Sequence, residues 1–400
     1  MDVIQQLQQF NQGRNATGLS LKYHKMRDSA FSFLRGSCHL FYARLAQSPP
    51  RPTSPLAWIC GDLHLENFGS YKADNRQVVF DINDFDEAIL APASWDLVRM
   101  LCSVALGAND AGLPPPECQR LGVAFLDAYA AALARGKALW VEHKTANGLV
   151  RSILDDVHTR ERKTLLDKYT DVHATDRVLR LDGKRAFAAT NIQQQCVRDC
   201  IARIASELPN PDFYEVLDVA QRLAGTGSLG MERYLILVRG KGTPDGHYLL
   251  DLKRAPSSSL EMYLQVIQPP WASQAHRIVG AQRRMQAVSV AFLQPVLMGG
   301  NAYVLRGLQT SEDCIALRKN GHQNSQEHMD LLTTMGQVVA WAHLRGAGRD
   351  GSANIDALMA FGQSANWKAR LHMAADALTA QVRADWADFS MAYDRGTLHA

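Results

Sequence analysis

A glycine-rich turn between two predicted strands, within residues 218–253, restricts the possible folds of this chain more than any other feature. The turn Gly225–Gly230 reads Gly-Thr-Gly-Ser-Leu-Gly. The run Tyr234–Val238 follows it and is rich in β-branched and aromatic residues, which predicts a strand. A dinucleotide-binding turn with the same glycine spacing would continue as a helix, because the helix N-terminus meets the pyrophosphate. The pattern therefore favours a hairpin, and after a second turn a third predicted strand ends at Lys253.

Lys253 and Glu261 form the next predicted pair. A third strand that ends in lysine after a glycine-rich hairpin is typical of a kinase-type site, where the lysine holds phosphates and pairs with a glutamate of the next helix. Ser257–Ser259 are good helix-starting residues, which makes Glu261 the candidate partner. Two alternatives stay open: Lys253 as an exposed edge residue, and Glu261 as a first-turn carboxylate facing the helix dipole. The predicted nucleotide-binding residues are Gly225, Thr226, Gly227, Ser228, Gly230, Lys253 and Glu261.

An earlier acidic segment supplies the remaining parts of such a site. Asp62 is followed by Asn67 and then by the run Phe80–Ala88, which contains further aspartates. In kinase-type chemistry one aspartate accepts the proton of the attacking hydroxyl, while an asparagine and a second aspartate hold Mg²⁺ against the nucleotide phosphates. We therefore expect Asp62 to be the catalytic base and Asn67 to be a metal ligand, with ATP and Mg²⁺ as cofactors.

Spacing indicates which aspartate of this run binds the metal. Strand alternation puts Asp84 and Asp86 on one face and Asp81 on the other. The interval from Asp84 to Asp96 is twelve residues, and the string resembles that of aminoglycoside- and choline-type phosphotransferases, although Cys60 stands where those families have a histidine. The resemblance implies that Asp84 is the metal ligand and that Asp96 is a buried acceptor beneath the Asp62 loop.

Four strings together resemble an uncharacterised bacterial family, domain of unknown function 2252. They are Phe33–Gly36, Gly61–Gly69, Phe80–Glu87 and the segment from the glycine-rich turn to Lys253. The similarity spans most of the chain and implies a kinase-like fold without implying a substrate. The sequence departs from the family at the hinge-like strand, which reads Tyr-Val-Leu-Arg-Gly where Tyr-Val-Arg-Gln is expected.

These parts occur in a rotated order. The catalytic and metal-binding aspartates precede the glycine-rich turn, and Met335–His343 near the end of the chain resembles the helix that precedes the catalytic loop in small-molecule phosphotransferases. A circular permutation keeps the cyclic order and moves the starting point. We predict an α+β, protein-kinase-like two-lobed fold, circularly permuted. It comprises a helical large lobe at 1–215, a β-rich small lobe at 216–310, and helices at 311–400 that return to the large lobe.

Hydrophobic periodicity predicts two helical pieces within residues 1–47, the second running from Phe31 to Leu45. Residues 137–215 are predicted to be mostly helical and polar. With 46% hydrophobic residues and a net charge of +3, the composition is that of an ordinary soluble protein and does not favour nucleic-acid binding. No apolar window is long enough to cross a membrane. Seven cysteines without paired spacing indicate a reducing, cytoplasmic environment, with Cys196 and Cys200 predicted as core thiols.

The expected activity is transfer of the γ-phosphate of ATP to a hydroxyl group. The short interval between Asp84 and the helix at Trp95 leaves no room for a long activation loop, which favours a small-molecule acceptor over a protein. Alternatives stay open: a non-catalytic nucleotide-binding regulator, an AMP-transferring enzyme, or a protein-modifying enzyme on the same fold. The presence of Asp62, Asn67, Asp84 and Lys253 together favours catalysis.

Overall fold

The computed structural model describes residues 2–48, 53–173, 176–310, 314, 315, 317 and 325–398, which form a mixed α+β protein. The helices are α1 (Val3–Phe10), α2 (Ala16–Asp28), α3 (Ala30–Gly36), α4 (Cys38–Gln47), α5 (Ser94–Asp110), α6 (Pro115–Ala134), α7 (Gly148–Thr159), α8 (Arg162–Tyr169), α9 (Asn191–Ser206), α10 (Gln274–Met285), α11 (Ser325–Gly346), α12 (Ile355–Gln363) and α13 (Trp367–Asp394). The strands are β1 (Leu56–Ile59), β2 (Phe68–Lys72), β3 (Val78–Ile82), β4 (Ile89–Pro92), β5 (Thr170–His173), β6 (Asp176–Leu179), β7 (Ala186–Ala188), β8 (Val216–Arg222), β9 (Arg233–Val238), β10 (Tyr248–Arg254), β11 (Gln294–Met298) and β12 (Asn301–Gly307).

The predicted hairpin forms the centre of a six-stranded antiparallel sheet with the strand order β11-β12-β10-β9-β8-β7. Successive side chains of a strand point to opposite faces. Tyr234 and Ile236 therefore share a core with residues of α9, whereas Leu235 and Leu237 share a core with residues of α8 on the other face. Burial on both faces explains why residues 234–238 of β9 are a continuous apolar run, since neither set of side chains faces water.

Helices from both ends of the chain share the largest hydrophobic core. Helix α11 packs along α6, and α13 packs against α5 and the N-terminal helices. Gly336 permits the close approach of α11 to α6, because a Cβ atom there would lie 2.3 Å from the carbonyl oxygen of Phe125. Within the described ranges, no helix combines the length and the apolar character needed to cross a membrane.

The structure differs from the predicted elements in the N-terminal part. The single helix predicted from Phe31 to Leu45 is two helices, α3 and α4, and the N-terminal region contains four helices in place of two. The break falls at Ser37, whose backbone leaves the helical conformation and whose hydroxyl donates a hydrogen bond to the Phe33 carbonyl at 2.5 Å. A serine side chain that bonds to nearby backbone competes with helix continuation in this way.

Residues 137–215 also differ from the prediction, because they contain the strands β5, β6 and β7 in addition to three helices. Strand β7 pairs with β8 at the edge of the large sheet, and α9 packs on that sheet, although both precede residue 215. Three residues are too few to show an alternating pattern. Of the two cysteines of α9, Cys200 is buried as predicted, but Cys196 is exposed.

A single carboxylate, Asp251 on β10, ties together four strands of the sheet. It is fully buried and forms ion pairs with three arginines, at 2.8 Å from Arg222 Nη1, 2.7 Å from Arg233 Nε and 3.5 Å from Arg306 Nε. Burial alone would raise the pKa of Asp251, but Arg222 and Arg233 outweigh it and hold this pKa well below its usual range. The carboxylate is therefore ionised and compensates three largely buried cations.

We predict that Asp251→Ala lowers the free energy of unfolding by about 3–5 kcal/mol, because it leaves buried guanidinium groups without their counter-ion. Denaturant unfolding followed by circular dichroism measures this change. Asp127→Ala is the control, since the Asp127–Lys368 pair lies at the surface and exposed pairs contribute little. Equal unfolding midpoints for the two variants would show that the Asp251 ion pairs contribute no more to stability than the exposed Asp127–Lys368 pair.

Candidate functional site

Strand pairing brings the Asp62 loop (residues 60–67) and the acidic loop (residues 83–88) side by side. In the β1–β4 pair Ile59 lies opposite Ile89, and in the β2–β3 pair Phe68 lies opposite Ile82. Segment 60–67 joins β1 to β2 and segment 83–88 joins β3 to β4, so both segments run between the same ends of the two strand pairs. This register explains how two motifs separated in sequence form one site.

Asp96 in the first turn of α5 fixes the start of the Asp62 loop. Its carboxylate accepts hydrogen bonds from the backbone N–H groups of Cys60 at 2.9 Å and Gly61 at 3.0 Å. Gly61 has φ +79°, and a Cβ atom there would lie 2.4 Å from the carbonyl oxygen of Glu87, so the turn requires glycine. His343 of α11 lies 3.7 Å from the same carboxylate. The prediction that Asp96 is a buried acceptor beneath the loop is confirmed.

Arg99, one turn further along α5, holds the Asp62 carboxylate. Its Nε donates to Asp62 Oδ1 at 2.8 Å and its Nη2 donates to the same oxygen, which leaves Oδ2 outside this ion pair. Nη2 also donates to the Leu34 carbonyl at 3.0 Å, and the guanidinium lies over the Phe41 ring. Burial acts to lower the pKa of Arg99, but Asp62 outweighs it and raises that pKa, so the arginine is a permanent cation. The Asp62 side chain is 23% exposed.

Asn67 joins the two loops through its side-chain amide. The amide nitrogen donates to the carbonyl oxygens of Asp62 at 3.0 Å and Asp84 at 3.1 Å, and its oxygen accepts the Asp84 N–H at 2.7 Å. An amide oxygen has two lone pairs. The predicted ligand atom therefore has one lone pair left for a metal, and its first role in the structure is to fix the distance between the loops.

Lys253 lies between the carboxylates of Asp84 and Asp86. Its Nζ is 3.3 Å from Asp84 Oδ2 and also contacts Asp86 Oδ2. Removal from bulk water would raise the pKa of Asp84, but Lys253 and Arg306 outweigh this effect and hold that pKa well below its usual range. The pKa of Asp86 is raised by burial and by the Asp84 charge, although Lys253 opposes both. The Asp84 side chain is nevertheless 48% exposed, and it faces the cleft.

Asp81 points away from this group as predicted, although β3 ends at Ile82, so Asp84 and Asp86 lie in the loop beyond it and strand alternation does not account for their direction. It is buried and accepts hydrogen bonds from the Ala287 N–H at 2.9 Å and from Arg345 Nη2 at 3.4 Å. Burial raises the pKa of this carboxyl group, and Arg345 partly offsets the effect. Asp81 therefore links β3 to α11 and to the segment just after α10, whereas Asp84 and Asp86 face the cleft.

The loops face a cavity of about 1100 Å³ between the sheet and the helices. Asp62, Asn67, Asp84 and Lys253 all line it. The glycine-rich loop between β8 and β9 lines the same cavity, with φ angles of +74° at Gly225 and +81° at Gly230. The predicted nucleotide-binding residues of this loop that line the cavity are Gly225, Thr226, Gly227, Ser228 and Gly230.

Glu261 is the predicted site residue that the structure does not bring to the others. It is exposed, begins a short 3₁₀ turn (Glu261–Tyr263) and lines a separate, smaller cavity. Within the described residues, the carboxylates that pair with Lys253 are Asp84 and Asp86, not Glu261. Ser257–Ser259 do not begin an α-helix: apart from the 3₁₀ turn, the chain has no regular element between β10 and α10, which begins at Gln274.

Arg277 of α10 supplies a connection that the sequence did not indicate. Its guanidinium donates to the carbonyl oxygens of Asp86 at 2.9 Å and Pro256 at 3.0 Å, and also to that of Ala88. This side chain therefore joins the acidic loop to the segment that follows Lys253. The sequence did not indicate Arg277 because these partners are backbone carbonyls, which have no sequence signature. It did not indicate Arg99 because the Asp62 carboxylate lies 37 positions away in the chain.

A divalent cation is compatible with the cleft, although the described residues contain no group of three or more His, Cys, Asp or Glu side chains that could hold a metal. Mg²⁺ is usually bound through one or two carboxylates, with water and substrate phosphates completing an octahedral shell. The half-exposed Asp84 carboxylate and the free lone pair of the Asn67 oxygen meet that limited requirement.

Fold and site together define an α+β protein with a polar cleft between an antiparallel sheet and a helical part, lined by loops from both. The chain belongs to the DUF2252 family, described as uncharacterised proteins conserved in bacteria, whose match extends over residues 14–392. No curated protein and no solved structure gave a significant match.

We predict that Asn67→Ala speeds hydrogen exchange of the Asp84 amide, because the variant removes the side chain that accepts this N–H and bridges both loops. Exchange mass spectrometry of peptides that cover 80–88 measures the change. Asn75→Ala is the control, since Asn75 is an exposed residue whose side chain bonds to nearby Gln77. Unchanged protection in Asn67→Ala would mean that the two loops are held together by other contacts.

Proposed function

We propose that the protein is an ATP- and Mg²⁺-dependent phosphotransferase that moves the γ-phosphate to the hydroxyl of a small molecule. The observation that carries the proposal is the 3.3 Å contact between Lys253 Nζ and Asp84 Oδ2, two residues that lie 169 positions apart. A lysine, a candidate metal-binding aspartate, a candidate base and a glycine-rich loop share one cavity. This combination matches the parts used in kinase-type phosphoryl transfer.

We further propose that the fold is the protein-kinase-like two-lobed fold in circularly permuted order. The hairpin of β8 and β9, the lysine strand β10 and the following α10 support this, because they have the order of a kinase small lobe up to its first helix. The packing of α11 beneath the Asp62 loop is a second support. His343 approaches Asp96, and a Cβ atom at Gly346 would lie 3.2 Å from Trp58 Cβ on β1.

The chemistry follows from the position of each group. Asp62 Oδ2, which is outside the ion pair with Arg99, accepts the proton of the acceptor hydroxyl. Asn67 and Asp84 would hold Mg²⁺, which supplies positive charge to the phosphates when it is bound. Lys253 would exchange part of its contact with Asp84 and Asp86 for the nucleotide phosphates. The N–H groups of the glycine-rich loop would donate hydrogen bonds to those phosphates.

A non-catalytic nucleotide-binding regulator is the second candidate. The observation that favours it is that Lys253 pairs with Asp84 and Asp86, whereas an active kinase pairs this lysine with a glutamate of the next helix. The sequence of α10 contains no acidic residue. Transfer of AMP is a third possibility on the same site.

Labelled ATP separates these three functions. The purified protein is incubated with Mg²⁺, a metabolite extract and ATP labelled at either the α- or the γ-phosphate. Label from the γ-position in a small molecule supports the proposed phosphotransferase, and label from the α-position supports AMP transfer. Binding of ATP without transfer of either label supports the regulator, and transfer to a protein in place of a metabolite would correct the acceptor class.

We predict that Asp62→Asn lowers turnover by roughly 10²–10⁴, the usual contribution of a positioned general base. Nucleotide affinity should change little, because Asp62 is expected to contact the acceptor and not the nucleotide. Steady-state kinetics and calorimetric titration of ATP check the two statements. If turnover in Asp62→Asn equals that of the wild type, Asp62 has no part in the mechanism.

We predict that Asp84→Ala abolishes the Mg²⁺ dependence of ATP binding, since it removes the one carboxylate that we assign to the metal. Titrations with ATP in the presence of Mg²⁺ or EDTA measure this dependence. Asp81→Asn is the control: it removes a buried charge that faces Arg345 and should lower thermal stability while Mg²⁺ dependence remains. The opposite pattern would show that the metal-binding aspartate was wrongly assigned.

A further inference from the structure

The turn between α1 and α2 fixes the glycine-rich loop from outside the sheet. Arg14 Nη1 donates to the carbonyl oxygens of Gly227 at 2.7 Å and Leu229 at 2.8 Å. The backbone N–H of Asn15 donates to the Gly230 carbonyl at 2.9 Å. These bonds join the N-terminal part of the chain to the turn between β8 and β9, and they determine where the Arg14 guanidinium lies.

Two glycines make this approach possible. A Cβ atom at Gly18 would lie 2.5 Å from the Cα atom of Gly230, and a Cβ atom at Gly230 would lie 3.0 Å from Arg14 Cβ. Gly230 also has φ +81°, which favours glycine for a separate reason. Backbone therefore packs directly on backbone, so Arg14 is anchored at the tip of the loop and is not a freely moving surface side chain.

The Arg14 guanidinium faces the same cavity as Asp62. Both of its hydrogen bonds come from Nη1, and among the described residues Nε and Nη2 donate no hydrogen bond. The cation lies 5.5 Å from the centre of the Phe10 ring. Burial lowers the pKa of Arg14 to about 10, and the nearby Glu87 charge opposes this change. The side chain is therefore a cation at neutral pH, with donors left for a ligand.

The proposed reaction needs such a cation. Lys253 also lines the cavity, but it already faces both Asp84 and Asp86. Further arginines of the lining are paired with carboxylates: Arg35 with Glu66, and Arg222, Arg233 and Arg306 with Asp251. In phosphoryl transfer, negative charge spreads over the three equatorial oxygens of the transferring group, and an arginine supplied by the same chain stabilises it in some enzymes. The tip of the glycine-rich loop lies over that group in kinase-type sites, and Arg14 is bound to this tip.

We propose that Arg14 is a catalytic residue that donates hydrogen bonds to the transferring phosphoryl group. This inference rests on the proposed phosphotransferase function. In the step, a bond forms between the acceptor oxygen and the γ-phosphorus while the bond from that phosphorus to the β,γ-bridging oxygen breaks. Asp62 takes the acceptor proton, and ADP leaves with the electron pair of the broken bond. Arg14 Nε and Nη2 neutralise the charge on the equatorial oxygens.

The test compares binding of ADP·Mg²⁺ with and without aluminium fluoride, which mimics the transferring group between ADP and the acceptor. The wild-type protein should bind ADP more tightly when aluminium fluoride is present. Arg14→Ala should reduce this gain by roughly 10²–10³, the usual effect of removing a donor to developing charge, and should change the affinity for ADP alone by less than about threefold. Arg14→Gln can still donate to the loop carbonyls, and its increase in ADP affinity on adding aluminium fluoride should be reduced as much as in Arg14→Ala. This variant therefore decides the question if Arg14→Ala fails to fold.

Two further variants separate chemistry from loop fixation. Gly18→Ala displaces the glycine-rich loop without removing the guanidinium, so it should weaken the ADP and aluminium fluoride complexes in equal proportion. Arg27→Gln is the matched control, because Arg27 is an exposed arginine of α2 paired with Asp394, and it should retain the full gain.

The outcomes distinguish this inference from the function on which it rests. A wild-type protein that binds neither ADP nor ATP contradicts the proposed phosphotransferase itself. If the wild-type protein binds ADP, but no more tightly when aluminium fluoride is present, the role of Arg14 alone is overturned. The role of Arg14 is also overturned if aluminium fluoride tightens ADP binding to Arg14→Gln as much as to the wild type. It is overturned as well if Arg14→Gln weakens ADP binding equally with and without aluminium fluoride, as Gly18→Ala does.

Discussion

The cleft depends on the ion pairs that the buried Asp251 carboxylate forms with three arginines. These arginines have further hydrogen bonds that reach beyond the sheet. Arg233 donates to the Ala224 carbonyl at the base of the glycine-rich loop, Arg222 to that of Gln309 after β12, and Arg306 to that of Asn83 beside the candidate metal ligand. One charge centre therefore positions three walls of the cavity at once. Guanidinium groups suit this task because their planar array of donors can serve a carboxylate and a carbonyl simultaneously.

Much of the site could be predicted because its parts have local signatures. Glycine spacing and the β-branched run after it predicted the β8–β9 hairpin, and the strand that ends near Lys253 followed from the same pattern. Alternation and the twelve-residue interval from Asp84 to Asp96 separated Asp84 from Asp81, although β3 ends at Ile82 and Asp84 lies in the loop beyond it. The hairpin could be predicted because strand period and turn chemistry are properties of neighbouring residues. The assignment of a kinase-like, permuted fold remains a proposal built on them.

The parts that could not be predicted depend on contacts between distant segments. Glu261 was expected on a helix near Lys253, but the chain after β10 stays irregular and Arg277 joins the neighbouring loops instead. Arginine partners that are backbone carbonyls leave no complementary letter in the sequence. Strand β7 is too short to show alternation, and its place beside β8 follows from the sheet as a whole. The contact of Arg14 with the glycine-rich loop likewise joins residues more than 200 positions apart.

The amide of Asn67 has a consequence for how the cleft can move. Because its nitrogen bonds to both loops and its oxygen bonds to one of them, separating the loops would break three partly buried hydrogen bonds at once. Domain closure is generally absorbed by a few hinge residues between rigid bodies. The Asp62 loop and the acidic loop are therefore expected to move together, and an opening of the cleft would separate Lys253 from the acidic loop. Such an opening would change the access to the candidate metal ligands while the geometry within the loop pair stays constant.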